Sequence, residues 1–156
     1  MVVIRQQRKS RLSTMIDAAG GLSVSVAKAQ ALANLNVMRP RGLDIIKAQI
    51  AELAAMTAPS GPDDRAVSRA YGLSAGIVDA AGPFEMNDLC RAASGLCDLL
   101  DAAPEGETFD WRIVTVHVQA MQLMLALPDG DEGEAARAKV LDGLDEMLRV
   151  KLQPAA

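Results

Sequence analysis

The side chains best suited to chemistry are one histidine, two cysteines and a short acidic run. His117 stands in Val114-Thr-Val-His-Val-Gln-Ala-Met121. A solvent-accessible histidine on a helix can accept a phosphoryl group or exchange protons near neutral pH. Apolar neighbours at helical spacing describe instead a packed structural side chain, with Met121 and Met124 filling core rather than ligating a soft metal. Cys90 and Cys97 lie seven positions apart in a segment that reads as helix. About 10 Å of rise separates them, too far for a bridge, so they read as small buried hydrophobes kept reduced. The run Asp129-Asp131-Glu132-Glu134 has part of a calcium loop's character but lacks the central glycine and the distant bidentate Glu. It reads as a solvated turn and helix start.

The larger constellations are missing. Gly20-Gly21 lacks the following Lys-Ser/Thr and the preceding strand of a phosphate loop. One histidine and two cysteines cannot complete a tetrahedral zinc site without carboxylates, and no nucleophile elbow is present. The expectation is therefore no cofactor, no metal and no catalytic residue. Four aromatic side chains in the whole chain (Tyr71, Phe84, Phe109, Trp111) also leave too few rings for a base-stacking platform.

What must position any of these groups is helical. The chain has 156 residues, half of them apolar, and is rich in Ala, Leu and Met, which lose little rotamer freedom in helices. No strict alternation supports a strand. Apolar spacing predicts a first helix over 23–35 (Val24, Ala27, Ala31, Leu35) and a second over 40–57, opened by Pro40 (Leu43, Ile46, Ile50, Leu53, Ala54). Ala58-Pro-Ser-Gly-Pro-Asp63 is the clearest break. A third helix should start at Asp63 or Asp64 and run to Ala81, with Val67, Ala70, Ser74, Ile77 and Val78 on one stripe. A fourth is opened by Asn87 or Glu85, with Leu89, Ala93, Leu96 and Leu100 as its stripe. A fifth, Trp111 to Leu127, is capped by Asp110 and so evenly apolar that burial on two sides is expected, and a sixth covers 132–151. Short loops join them, so the fold class expected is all-α, an antiparallel helical bundle with extra N-terminal helices. The domain reading is a basic, loosely structured arm over 1–21 and one bundle over 22–152.

Charge is unevenly divided. Residues 1–62 hold eight basic and three acidic side chains and residues 63–156 hold eight and seventeen, leaving +5 and −9 within a total of −4. The acidic part is unsuited to nucleic acid. Arg5, Arg8, Lys9 and Arg11 form a basic arm that can steer the chain toward an acidic partner surface. No secretory signal and no apolar run of 18 residues occurs, which points to the cytoplasm and to no membrane partner.

Residues 68–101 resemble a histidine-phosphotransfer (HPt) domain whose chemistry has been removed. That family carries Ala-His-x-Leu-Lys-Gly on a bundle helix, then a glycine-containing turn and an apolar helix. Ala70 and Leu73 match, Tyr71 stands where the phospho-accepting histidine would be, Ser74 at the lysine and Ala75 at the small residue. Gly82 falls near the turn, and Leu89 comes about one helical turn late. A longer resemblance is to the CheE family of small chemotaxis-operon proteins. It rests on Lys9-Ser-Arg-Leu12, Gly20-Gly21, Ala31-Leu-Ala-Asn-Leu35, Ala70-Tyr71-x-Leu73, Ala80-Ala-Gly82, Ala92-Ala-Ser-Gly-Leu-Cys-Asp-Leu99, Trp111 and Val116-His-Val-Gln-Ala120.

These resemblances imply an HPt-like four-helix core and a non-catalytic protein of chemotaxis or two-component signalling. Its expected partner is the receiver domain of a response regulator, or a chemotaxis kinase. The expected docking surface is Tyr71, Gly72, Ser74, Ala75 and Val78, with Tyr71 partly exposed. Two glycines in one helix, Gly72 and Gly76, cost about 1 kcal/mol each and fit a close approach of another backbone or tight packing in the bundle. The alternatives are active phosphotransfer through His117, or a structural scaffold, including a homodimer.

Overall fold

A computed structural model of the chain describes residues 23–152. Among them are five α-helices and no strand: α1 (Val24–Ala55), α2 (Asp64–Ala81), α3 (Asn87–Asp101), α4 (Arg112–Ala126) and α5 (Asp131–Leu152), with a 3-10 turn at Gly82–Phe84. The chain divides into two compact units, Met1–Val37 and Met38–Ala156. That division falls inside α1, and the Gly20-Gly21 boundary expected from the sequence lies outside the described residues. The expected arm lies outside the described residues.

In the first unit the described residues are Ser23 and the leading part of α1. Ser23 opens the helix: its Oγ accepts from the Val26 amide at 3.4 Å and its carbonyl from the Ala27 amide at 3.0 Å. Val24, Val26, Leu32 and Val37 are exposed. On the face that the sequence assigns to Val24, Ala27, Ala31 and Leu35 no side chain is buried, and only Leu35 is half-buried.

The expected break before Pro40 is absent, and α1 runs through that residue. Proline removes one amide donor, yet its fixed φ near −65° is a helical value, and no glycine precedes it to end the helix. Past Pro40 the buried positions of α1 are Gly42, Ile46, Ile50 and Leu53, while Leu43 is half-buried and Ala54 exposed.

The second unit is built on α3, which packs against α2, α4 and α5. Cys90 Sγ approaches the Val78 carbonyl at 3.8 Å and Cys97 Sγ the Tyr71 carbonyl at 4.0 Å, so α2 and α3 run antiparallel. Asp88 pairs with Arg137 and Arg91 with Asp145, so α3 and α5 run in the same direction. Gln49 lies over Gly76 and Glu52 pairs with Arg69 at 3.5 Å, which sets the second half of α1 antiparallel to α2. The core is aliphatic: Ile46, Ile50, Leu53, Ile77, Leu96 and Met121 are fully buried, each contributing roughly 1.5–3 kcal/mol of hydrophobic stabilisation.

The helix ends follow local chemistry. Asp63 caps α2 as expected, accepting from the Ala66 amide at 3.0 Å, and α2 passes into the 3-10 turn at Gly82. Asp110 does less than expected, because Trp111 holds the N-cap position of α4. Its carboxylate instead takes the Arg112 amide at 3.2 Å, Arg112 Nε at 2.8 Å and Lys151 Nζ at 3.4 Å. The Arg112 hydrogen bond is the main reason its acid strength rises, to a pKa of about 2. The expectation that α4 is buried on two sides is corrected: Val116 and Leu123 are exposed, so α4 buries one broad face despite its even apolar content. Phe109 and Trp111 meet edge to face with ring centroids 5.7 Å apart.

Candidate functional site

α2 is a one-sided helix. Ala70, Ser74, Ile77 and Ala81 recur every three or four residues and are buried. At about 100° per residue the opposite arc holds Ser68, Tyr71, Gly72, Ala75 and Asp79, all exposed except the half-buried Ala75. Tyr71 is 43% exposed, so its ring leans on the edge of the bundle while part of it meets water. Gly72 has open space around it: a Cβ added there would meet nothing within 4 Å. Val78 is half-buried on the flank next to α3, beside Cys90.

The surface predicted from the sequence is therefore assembled in part. Tyr71, Gly72, Ala75 and Val78 share one side of α2, but Ser74 does not belong with them. It is completely buried, and its Oγ donates to the Ala70 carbonyl at 2.9 Å. The reason is spacing. Four residues after Ala70 and three before Ile77, it falls on the core stripe, where only the internal hydrogen bond makes a hydroxyl acceptable. The two glycines also separate. Gly76 is the place of close approach, since a Cβ there would collide with the Gln49 amide. Gly72 is vacant of neighbours.

Two thiols border this face without adding reactivity. Burial pushes both above the ordinary thiol value, and Asp98 adds to the effect at Cys97. A raised pKa leaves them protonated and poorly nucleophilic.

His117 lies elsewhere, in the middle of the buried face of α4. It is 0% exposed. Its Nδ1 is 2.9 Å from the Ile113 carbonyl, which can only accept, so Nδ1 carries the proton. Nε2 is buried with no partner. Burial pushes its pKa below the ordinary 6.5, against the opposing pull of the Ile113 hydrogen bond. A ring so placed is neutral and buried, whereas the reading of His117 as an alternative phospho-acceptor calls for a solvent-accessible one. The basic residues Arg5, Arg8, Lys9 and Arg11 lie outside the described residues. Among the described residues no group of three or more His, Cys, Asp or Glu side chains is placed to hold a metal ion, and no helix is long and apolar enough to cross a membrane.

One constellation escaped the sequence reading. Arg39 donates to the Phe84 carbonyl at 2.9 Å with its guanidinium 5.7 Å from that ring's centroid. Across from it, Arg137 donates to the Pro128 carbonyl at 3.2 Å and faces Asp88. Arg39 and Phe84 are 45 positions apart, so no local pattern announces the contact. The nearest signal was the glycine at 42, whose missing side chain makes room for the Phe84 ring.

Compared with known proteins, the chain matches no family model, no curated protein and no solved structure.

Proposed function

We propose that this chain is a non-catalytic helical protein of chemotaxis or two-component signalling that docks a receiver domain on the exposed face of α2. The observation that carries the reading is the pairing of a half-exposed Tyr71 with the open surface at Gly72, on a helix whose other side is core. An aromatic ring with a polar tip beside unobstructed backbone is an anchor that a partner can cover without displacing anything. In the HPt resemblance this is the position of the phospho-accepting residue.

Chemistry fits docking better than relay. Phosphotransfer through such a domain needs an imidazole nitrogen forming a labile phosphoramidate, whereas a tyrosyl phosphoester holds its phosphate firmly. The lysine of the family pattern is replaced by Ser74, which is buried and neutral, so no cation stands there to stabilise a transferred group. With His117 sealed in the core, this face offers recognition without a reaction.

Binding of a panel of purified receiver domains and a chemotaxis kinase to the full chain, measured by titration calorimetry, tests the reading. A receiver should bind, Tyr71→Ala should weaken it at least about tenfold, as expected for a central aromatic anchor, and Gly72→Glu should abolish it sterically. No binding by any member, or full binding by both variants with their helicity intact, would overturn it. Self-association dissolved by the same two variants would assign the face to a homodimer instead.

A further inference from the structure

The Arg39 and Arg137 contacts frame an open groove of about 710 Å3 that lies wholly within Met38–Ala156. Its apolar surface includes Leu43, Leu89, Met124 and Leu127, and it is large enough to receive several side chains. Both walls are held. Phe84 is seated where Gly42 leaves room, with Arg39 over its ring and bonded to its carbonyl. On the other side Gly133 lies against the Pro128 carbonyl, and Arg137, its side chain only 14% exposed, ties that carbonyl to Asp88 at the start of α3.

Charge gives the groove a sign. The two guanidinium groups are engaged by the walls: Arg137 is paired with Asp88, and Arg39 lies on Phe84. Glu85, Asp129 and Glu134 also line the groove, are exposed, and form no ion pair among the described residues. Glu85 even occupies a left-handed backbone position, φ +57°, at the end of the 3-10 turn. An apolar floor inside a ring of unpaired carboxylates complements a helix with an apolar stripe and lysine or arginine flanks. The thioethers of Met86 and Met124 suit such a partner, because methionine adapts its shape to varied apolar anchors.

We propose that this groove docks a basic amphipathic helix of a partner protein, at a site separate from the α2 face. The carboxylates steer and select the partner, and the apolar floor supplies the anchor pockets.

The test uses the full chain at near-physiological salt and a fluorescent peptide of leucine and lysine, about five helical turns long, with leucine at helical spacing. The expected result is saturable one-site binding by anisotropy. Asp129→Lys combined with Glu134→Lys should weaken it at least about tenfold, with the fold kept and only a modest fall in Tm, since both residues are exposed but Glu134 sits in the first turn of α5, where a carboxylate is favoured. Reversal of two exposed carboxylates elsewhere, Asp98→Lys with Asp142→Lys, should change it less than about threefold. Equal loss in both pairs would mean a diffuse charge effect and would overturn the proposal, as would tighter binding of the matching leucine–glutamate peptide. Sedimentation showing a dimer that the groove pair dissolves would assign the groove to a second copy. A gain of about tenfold on replacing Arg5, Arg8, Lys9 and Arg11 by Ser would assign it to the chain's own basic segment. Either result would refute a separate partner.

Discussion

Because His117 is the chain's only histidine, its burial has a consequence that can be read without interference. In the folded state the ring is neutral, with burial holding its pKa below 6.5. The unfolded chain leaves it near the ordinary value. As pH falls below 6.5 the unfolded state gains a proton that the folded state does not, so stability is fully present above that pH and drains away below it. If the folded ring takes up no proton, the loss between pH 7.5 and 5.5 approaches about 1.4 kcal/mol, one full unit of linkage. Aspartates and glutamates titrate mostly lower, so this window belongs to His117. For a chain of this size the loss corresponds to a fall in Tm of about 3–6 °C. The perturbation that isolates it is His117→Met, which keeps volume, removes the unpartnered Nε2 and forfeits only the Nδ1 bond to Ile113. Removing a buried unsatisfied acceptor recovers about 1–3 kcal/mol against about 1 kcal/mol for the lost bond, so the variant should be no less stable at pH 7.5. Urea melts followed by far-UV circular dichroism, at half-unit pH steps, give both quantities. A variant that keeps the wild-type pH slope would refute the reasoning, because the slope would then come from other groups.

The glycines provide a contrasting pair. Gly72→Ala should raise stability by up to about 1 kcal/mol, since the site is open and helical, whereas Gly133→Ala should lower it by about 1–3 kcal/mol because its Cβ would strike the Pro128 carbonyl. Thermal melts of the two side by side decide, and a destabilised Gly72→Ala would show that the α2 surface is covered. Asp63→Ala should cost about 0.5–2 kcal/mol through the lost cap on the Ala66 amide, with Asp63→Ser restoring most of it in the same melts.

How much of this was legible in the sequence depends on how local each cause is. α2 was readable from end to end, because the Asp63 cap, the stripe through Ala70 and Ile77 and the Gly82-Pro83 stop lie within a few residues of what they control. The start of α3 was readable only to within two residues, as Asn87 or Glu85, and Asn87 is the one used, while the partial exposure of Tyr71 follows from its place beside the core stripe. Ser74 was placed on the docking surface because the family motif has a functional residue there, although its own spacing put it on the core stripe. The continuity of α1 was not readable, since Pro40 is a legitimate helix start and only the tertiary burial of Gly42 through Leu53 shows which use is made of it. The groove was invisible for a different reason. It needs Arg39 against Phe84 and Arg137 against Pro128, and pairings across helices leave no periodic trace.

The scarcity of rings, which first argued against a stacking surface, makes the molecule its own optical gauge. It holds one tyrosine and one tryptophan. Tyr71 sits on the α2 face and Trp111 at the start of α4, half-buried against Phe109, so emission from each band has a single address. A partner that covers α2 would quench or shift the tyrosine signal while the indole, which lines neither candidate surface, holds its wavelength. A change confined to the indole would instead report a rearrangement at the junction of the α3–α4 loop with α4. The chain can thus reveal where it is touched without a label.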